Sequence, residues 1–548
     1  MGGRSPFVPW RWDIPDRFNI GVACADRHVA TPVADRVAMI IEDEELGTSQ
    51  LTYAELASCT SRFAELMRRL GIVPGDRLLI LLPNSLAYPT AFLGGMKCGA
   101  ISVPTSTLLA ADEVEYIARD SGAVALIIGK TAWRHLAPRL ARLTTLKHVL
   151  LVGSGEIVAA TGIGIHDLEP ALASIESWSA PHPTAADDPA YLVYTSGTTG
   201  YPKGVLHAHR ALLGRTPAAT HWFDFHPDGD RIVHCGKFNW TFVLGTAMMD
   251  PFYWGKTVIA FEGKNDARTW PRLIAKHDAT IFIGVPTAFR QILQKTEYRR
   301  EDVPTLRHCM SAGEHLSNEV QTEWQDRFGV GIYEAVGMSE FSYYLSQSPF
   351  RPIRPGSAGS PQPGHEVQLL NPDTLEKVPA HEAGMICVPE DDPGLFLRYW
   401  NLPEETERLR RDGWFLTGDY ARYDTDGYIW FLGRKDDMIN SFGYRVSPYE
   451  IERVFKSHPA VADCACVGEA HGAHKIVVVA YVIPQSGSAV SPDDLLAFGR
   501  MKLAKYKAPR IVYFAHEFPR TKNGKILRQR IEPSMAITRS LAGSVGPD

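Results

Sequence analysis

Long apolar runs are missing from this 548-residue chain. No segment approaches the roughly 20 apolar residues that a bilayer-spanning helix needs, so the sequence predicts no membrane span. The stretch Met1 to Asp13 contains Pro6, Pro9 and charges, but nothing apolar enough for a secretory leader. An excess of one charge is missing too: 57 Lys and Arg against 62 Asp and Glu leave a net charge of −5. That balance excludes bulk attraction for nucleic acid or an anionic membrane, so an anionic ligand must be held by local groups. Cysteines in metal-binding spacing are also wanting. The eight cysteines are scattered, and only Cys464 and Cys466 sit close, on an apolar strand that points both thiols to one face. Their spacing lacks the pairs of a zinc site. Reduced, structural thiols and a cytoplasmic location are expected.

What is present is the composition of a soluble globular protein, 45% hydrophobic and 22% charged. The length exceeds one ordinary core, so at least two domains are predicted. Residues 51–70 have helical periodicity through Leu56, Phe63, Leu66 and Leu70, ending before Gly71. Residues 88–98 read as a second helix. Short apolar strands are predicted at 77–82, 100–103, 124–128 and 148–152, and again at 231–235, 257–261 and 280–283. Strands spaced by helices argue for an α/β class with parallel sheets covered on both faces. After about residue 360 the texture changes to glycines, aromatics and short strands. Beyond Asp437 a compact stretch has its own pattern: helices at 450–457 and 492–503, strands at 461–467 and 476–483. The division drawn is a large region 1–435 and a smaller domain 436–548, within the size range of an autonomous unit.

A buried strand at 191–194 leads into Thr195-Ser196-Gly197-Thr198-Thr199-Gly200-Tyr201-Pro202-Lys203-Gly204. Polyphosphate binding needs close backbone approach, inward hydroxyl and N–H donors, and a cation. Gly197, Gly200 and Gly204 give the approach, Ser196, Thr198 and Thr199 the hydroxyls, and Lys203 the charge. No Ser or Thr follows the lysine, so this is not the GxxxxGK[ST] loop. A plain polar turn between strand and helix is the bland alternative, and the crowding of glycines and hydroxyls in these ten positions disfavours it. His207 and His209 are expected on a helix after the loop, as structural residues.

The string TSGTTGYPKG resembles the signature loop of the adenylate-forming superfamily, which includes acyl- and aryl-CoA synthetases, luciferases and peptide-synthetase adenylation domains. The resemblance runs in order from about Leu51 to Arg530 and is similar to benzoate–CoA ligases and medium-chain acyl-CoA synthetases. It implies a large N-terminal domain of αβ-layered sheets with a β-barrel-like subdomain, and a small mobile α+β C-terminal domain. Thr195, Ser196, Gly197, Thr198, Thr199 and Gly200 would hold ATP or AMP with Lys203. Ser311-Ala312-Gly313-Glu314 resembles the adenine-side turn, bringing in Gly313 and Glu314. Gly337-Met338-Ser339-Glu340 matches the family's G-x-[ST]-E, with Ser339 a phosphate contact and Glu340 the ligand of a Mg²⁺; a carboxylate beside a hydroxyl suits that oxygen-seeking ion. Many members have a tyrosine before this glycine; here it is Val336, as in benzoate-type ligases. Thr417-Gly418-Asp419 matches the ribose-binding motif, where a carboxylate accepts from both ribose hydroxyls. Arg434 is implied as a nucleotide contact, Asp436 as the hinge, Gly443, Tyr444 and Arg445 as CoA contacts, and Lys525 as the catalytic lysine of adenylation.

The resemblance therefore implies a two-step reaction using ATP, Mg²⁺ and CoA. A carboxylate attacks the α-phosphorus of ATP, pyrophosphate leaves, and CoA then displaces AMP from the acyl-AMP. The acyl pocket is expected around Phe238, Trp240, Gly245, Gly337 and Met338, an aromatic and apolar wall suited to an uncharged ring or chain. No acid occurs from His234 to Met249 to pair an ammonium, which disfavours amino acids. Aromatic and medium-chain or alicyclic acids both fit, and Val336 tilts the choice toward aryl. Nucleic acid and membrane are not expected partners, and a homodimer is an allowed assembly. Three rivals stay open: an enzyme loading a separate acyl carrier protein, a non-catalytic nucleotide sensor, and a luciferase-type monooxygenase.

Overall fold

The computed structural model describes residues 10–195, 202–227, 229–313, 316–435, 437–441, 444–470, 476–505, 507–520 and 526–541. Its contacts gather into two compact units. One is Met1–Glu366 with Pro389–Gly413; the other is Val367–Val388 with Trp414–Asp548. This partition joins residues 414–435 to the C-terminal body rather than to the large region.

The first unit is built on two large mixed sheets. In the nine-stranded sheet the order is Ser360–Pro361, Ser342–Ser346, Ile332–Met338, His308–Ala312, Ile281–Gly284, Arg231–His234, Thr257–Glu262, Val37–Asp43 and Gly47–Thr52. It is parallel from Ile332–Met338 through Val37–Asp43 and antiparallel at its ends. In the eight-stranded sheet the order is Arg398–Tyr399, Lys203–Ala208, Pro189–Thr195, Ile101–Pro104, Arg77–Leu81, Ala125–Gly129, His148–Val152 and Gly164–Asp167.

Strand alternation explains the layering. On Arg77–Leu81, Leu78 and Ile80 enter the central core while Leu79 and Leu81 enter an outer one with Ile117, Trp133 and Val149. On Arg231–His234, Ile232 faces the centre and Val233 an outer core with Trp270, Phe289 and Trp324. Each strand is buried on both faces, which is why these segments read as continuous apolar runs. Between the sheets lie the helices Tyr53–Arg69 and Ala87–Lys97, whose Phe63, Tyr88 and Phe92 are fully buried. Thr52 caps the first of these, accepting from the Glu55 amide while the Glu55 carboxylate accepts from the Thr52 amide. Such a reciprocal cap contributes about 1 kcal/mol. The result is α/β in class, with helices on both outer faces and between the sheets.

The second unit holds a small antiparallel sheet that includes Gln368–Leu370, Gly384–Pro389, Trp414–Tyr423 and Ile429–Arg434. It also holds a four-stranded sheet of Val461–Ala470, Ile476–Pro484, Ile511–Phe514 and Thr538–Leu541, with the helices Pro448–Lys456 and Pro492–Lys502. Cys464 and Cys466 are buried on one face of Val461–Ala470, sulfurs 4.0 Å apart, and all eight cysteines are free thiols. Among the described residues no helix is long and apolar enough to cross a membrane.

Candidate active site

The glycine-rich loop is the turn of an antiparallel hairpin. Pro189–Thr195 pairs with Lys203–Ala208, and the last rung joins Thr195 to Lys203. The loop was expected to lead into a helix carrying His207 and His209; this is corrected. His207 lies in the strand Lys203–Ala208 and His209 opens a short 3₁₀ turn. The run Lys203-Gly204-Val205-Leu206 reads equally as loop end or strand start, and pairing to Pro189–Thr195 decides for strand. Ser196, Gly197, Thr198, Thr199 and Gly200 lie outside the described residues, as do Glu314, Asp436, Gly443 and Lys525.

Lys203 is the hub of what the fold assembles here. The segment 396–400 runs beside the hairpin: Leu397 and Trp400 donate backbone N–H to Leu206 and Gly204, at 2.7 and 2.8 Å. A side chain at position 204 would meet Trp400 Cβ at 2.9 Å, so only glycine permits this approach. The pairing sets Tyr399 and Glu405 around the lysine. Lys203 Nζ makes an ion pair with Glu405 at 3.0 Å and stands 5.7 Å from the centre of the Tyr399 ring. The hydrogen bond from Lys203 holds the Glu405 carboxyl below its ordinary range. The Tyr399 hydroxyl in turn donates to Glu340 Oε1 at 2.6 Å, and Glu340 is buried. Phe396 N–H donates to the Glu340 carbonyl at 2.8 Å. Lys203, Ser339 and Glu340, predicted from separate motifs, thus share one neighbourhood. Tyr399 and Glu405 were not predicted; neither belongs to a motif, and only the strand pairing reveals them.

Behind Ser339 and Glu340 lies a buried polar chain. His207 Nε2 donates to the Ser339 carbonyl at 2.8 Å, and its ring stacks on Tyr191 with centroids 4.7 Å apart. Burial pushes the His207 imidazole down to about 3, so it is neutral at physiological pH. Tyr191 OH accepts from Arg215 at 3.3 Å, and Arg215 pairs with Asp250 at 3.1 Å. Both ions are buried; desolvation lifts Asp250 to about 6, leaving the pair ionised at pH 7. His209 accepts from the Ile20 amide at 3.1 Å, a structural contact.

The expected acyl-pocket residues divide into three contacts. Phe238 is buried against Tyr88, centroids 5.3 Å apart. Trp240 is half-buried, and a side chain at Gly313 (φ +92°) would strike its ring at 2.7 Å. Gly337 and Gly245 both abut Tyr343. Gly337 is paired with Tyr343 in the hairpin ladder at a bulge, where an added Cβ would fall 1.6 Å from the Ser342 carbonyl. An added Cβ at Gly245 would fall 2.9 Å from the Tyr343 hydroxyl. Val336 and Met338 are half-buried on the same strand.

In the second unit Asp419 lies within Trp414–Tyr423, directly across from Arg434, and their side chains pair at 3.5 Å. Asp419 is buried, its N–H donating to Thr417 Oγ1 at 3.1 Å, while Gly418 adopts φ +75°. The backbone of Tyr444 and Arg445 forms the strand Tyr444–Val446, paired with Ile439–Ser441.

A phosphate-type loop closed by a lysine, next to a buried carboxylate and a hydroxyl on a layered α/β frame, defines a nucleotide-using enzyme. Residues 26–400 match the AMP-binding enzyme family, and residues 450–525 match the AMP-binding enzyme C-terminal domain. The chain belongs to the AMP-binding enzyme family. A benzoate–CoA ligase of Thauera aromatica is 31% identical over 523 residues, 94% of this chain and 96% of that protein. A 3-hydroxybenzoate/4-hydroxybenzoate–CoA ligase of the same organism is 32% identical over 530 residues, 94% and 97% of the two chains. The crystal structure of an anthranilate CoA ligase in complex with anthranoyl-AMP superposes with a TM-score of 0.84 at 30% identity, covering 94% of this chain and 97% of that one.

Proposed function

We propose that this protein activates an aromatic carboxylic acid with ATP and transfers it to CoA, in the cytoplasm. The activity is that of an AMP-forming acid–CoA ligase. The acid's carboxylate attacks the α-phosphorus, pyrophosphate departs, the CoA sulfur attacks the acyl carbon, and AMP leaves. The observation that supports this best is the cluster of Lys203, Tyr399 and Glu340 beside the phosphate-type hairpin.

In this reading Lys203, Thr195 and the loop residues Ser196 to Gly200 hold phosphates, with Ser339 as a further contact. Lys203 starts bound to Glu405 and exchanges that carboxylate for a phosphate oxygen. Glu340 and Ser339 offer only oxygen, the donor set Mg²⁺ prefers. Among the described residues no group of three or more His, Cys, Asp or Glu side chains is arranged to hold a metal. Glu340 would therefore share the ion with triphosphate oxygens, and the ion's contribution is to offset phosphate charge. Tyr399 orients the Glu340 carboxylate by occupying Oε1.

Gly313 and Glu314 are proposed to meet adenine, with Val336 as an apolar wall. Asp419 would accept the ribose hydroxyls, with Arg434 holding its carboxylate in place. Gly443, Tyr444 and Arg445 are assigned to CoA, Lys525 to the adenylation step, and Asp436 to a hinge between 1–435 and 436–548. An aromatic acid is favoured by the linked rings that lead from Gly245: Tyr343 against the glycine, then Trp222, Phe242 and Trp240 in succession. Asp250, just past this segment, is already matched by Arg215, so it does not call for an ammonium-bearing substrate. Eight free thiols accord with a reducing compartment.

The test is AMP formation across a panel of acids with CoA present, following pyrophosphate and free thiol together. Thiol loss with CoA alone supports the CoA ligase and excludes dependence on a carrier protein. A Lys525→Ala variant should lose pyrophosphate release yet still convert supplied acyl-AMP to thioester; equal loss of both steps contradicts the assigned role.

A further inference from the structure

The aromatic surroundings of Gly245 contain two hydroxyls that the protein leaves unsatisfied. Tyr343 OH and Thr241 Oγ1 are both buried, and neither has a hydrogen-bond partner among the described residues. Both are placed relative to Gly245. Thr241 begins the helix that continues through Gly245, one turn before it, and the Tyr343 hydroxyl packs against Gly245 where any larger residue would displace it. Tyr343 is also the ladder partner of Gly337. It therefore stands between two of the glycines assigned to the acyl pocket, with its ring 4.9 Å from Trp222.

A buried hydroxyl without a partner costs about 1–3 kcal/mol, and native proteins pair the large majority of such groups. The usual internal remedies are at hand but already engaged. Asp250, next to the same glycine, is bound to Arg215, and the His234 and Thr246 side chains are bound to each other at 2.8 Å. Neither of these neighbours serves the two hydroxyls, which leaves them open to a ligand oxygen.

Resting on the acid-ligase reading above, we propose that the acyl pocket selects acids bearing a hydroxyl or carbonyl oxygen remote from the carboxylate, held by Tyr343 and Thr241. A carbonyl oxygen accepts from both hydroxyls; a substrate hydroxyl donates to one and accepts from the other. An unsubstituted hydrocarbon acid leaves both orphaned. A pocket built to hydrogen-bond a substrate oxygen rejects the analogue lacking it far more strongly than a hydrophobic pocket senses a methylene.

The experiment compares matched acids by pyrophosphate release: benzoate against 3- and 4-hydroxybenzoate, and cyclohexanecarboxylate against 4-oxocyclohexanecarboxylate. The expected result is a kcat/KM at least about 10-fold higher for the oxygenated member of at least one pair. Tyr343→Phe, which removes a single oxygen, should bring that ratio to within about threefold, and Thr241→Val should lower it as well. A wild-type enzyme that uses the hydrocarbon acid as well or better overturns the proposal, as does a ratio that Tyr343→Phe leaves unchanged. Pyrophosphate release with a flat preference defeats this proposal alone. No release with any acid defeats the acid-ligase reading too.

Discussion

His207 offers the sharpest test of how the site is held. Its Nε2–H donates to the Ser339 carbonyl, and its ring lies flat on Tyr191. Phenylalanine at this position keeps a planar ring on Tyr191 but removes the donor. The Ser339 carbonyl, which is part-buried, then loses its partner, at about 1–3 kcal/mol for a buried group and toward the lower end here. The peptide can recover part of that by turning toward water, which swings the neighbouring Ser339 hydroxyl and Glu340 carboxylate. If about 1.4 kcal/mol of the loss reaches the transition state, kcat falls about tenfold. Glutamine, whose amide can donate from a similar height, should recover most of it. The assay is pyrophosphate release at saturating acid with MgATP varied, alongside urea unfolding of each variant. The reasoning fails if the phenylalanine variant keeps the parent rate. It fails also if glutamine and phenylalanine are equally impaired, since that would make the ring's shape the whole contribution.

Two further outcomes follow from neighbouring groups. Glu405→Gln removes the carboxylate that, on the proposed reading, competes with phosphate for Lys203; the pair is 26% and 35% exposed, so it is worth at most about 1 kcal/mol. KM for ATP should therefore fall, by no more than about fivefold, and a rise would show that Glu405 helps rather than competes. Glu334 is buried and pushed up to about 8 by desolvation, so the folded protein keeps it protonated at pH values where the unfolded chain ionises it. Its contribution to stability declines as pH rises from its ordinary carboxyl value through 8. The stability gap between Glu334→Gln and the parent should widen with pH by up to roughly 1.4 kcal/mol per unit across that window. A pH-independent gap in urea unfolding would refute the assignment.

Much of the layered fold was legible because the inner strands of both sheets are buried on both faces, so that Leu78-Leu79-Ile80-Leu81 and its counterparts print as solid apolar runs. Lys203, Ser339 and Glu340 were legible as motif members. Their supports were not. Tyr399 reaches Glu340, Glu405 reaches Lys203 and His207 reaches Ser339 across 59, 202 and 132 positions, and each contact exists only after strands pair. Periodicity, a local signal, says nothing of such partners. The helix expected at His207 failed for the same reason: a six-residue segment takes its form from the ladder beside it. Gly337 shows a further limit. Its motif suggests a ligand-facing role, whereas its backbone explains the need for glycine by the closeness of Ser342.

That the glycine-rich loop is strung between the two ends of one ladder rung has a practical meaning. Thr195 and Lys203 are held opposite each other by the hairpin itself, so the entropy of bringing the loop's ends together is already spent when the sheet forms. The segment 196–202 is then a cassette with fixed anchor points. Its length and composition can vary, in natural drift or by grafting, without shifting the register of either strand. If the segment holds the nucleotide as proposed, its affinity and the integrity of the sheet are to that extent separable properties, open to selection one at a time.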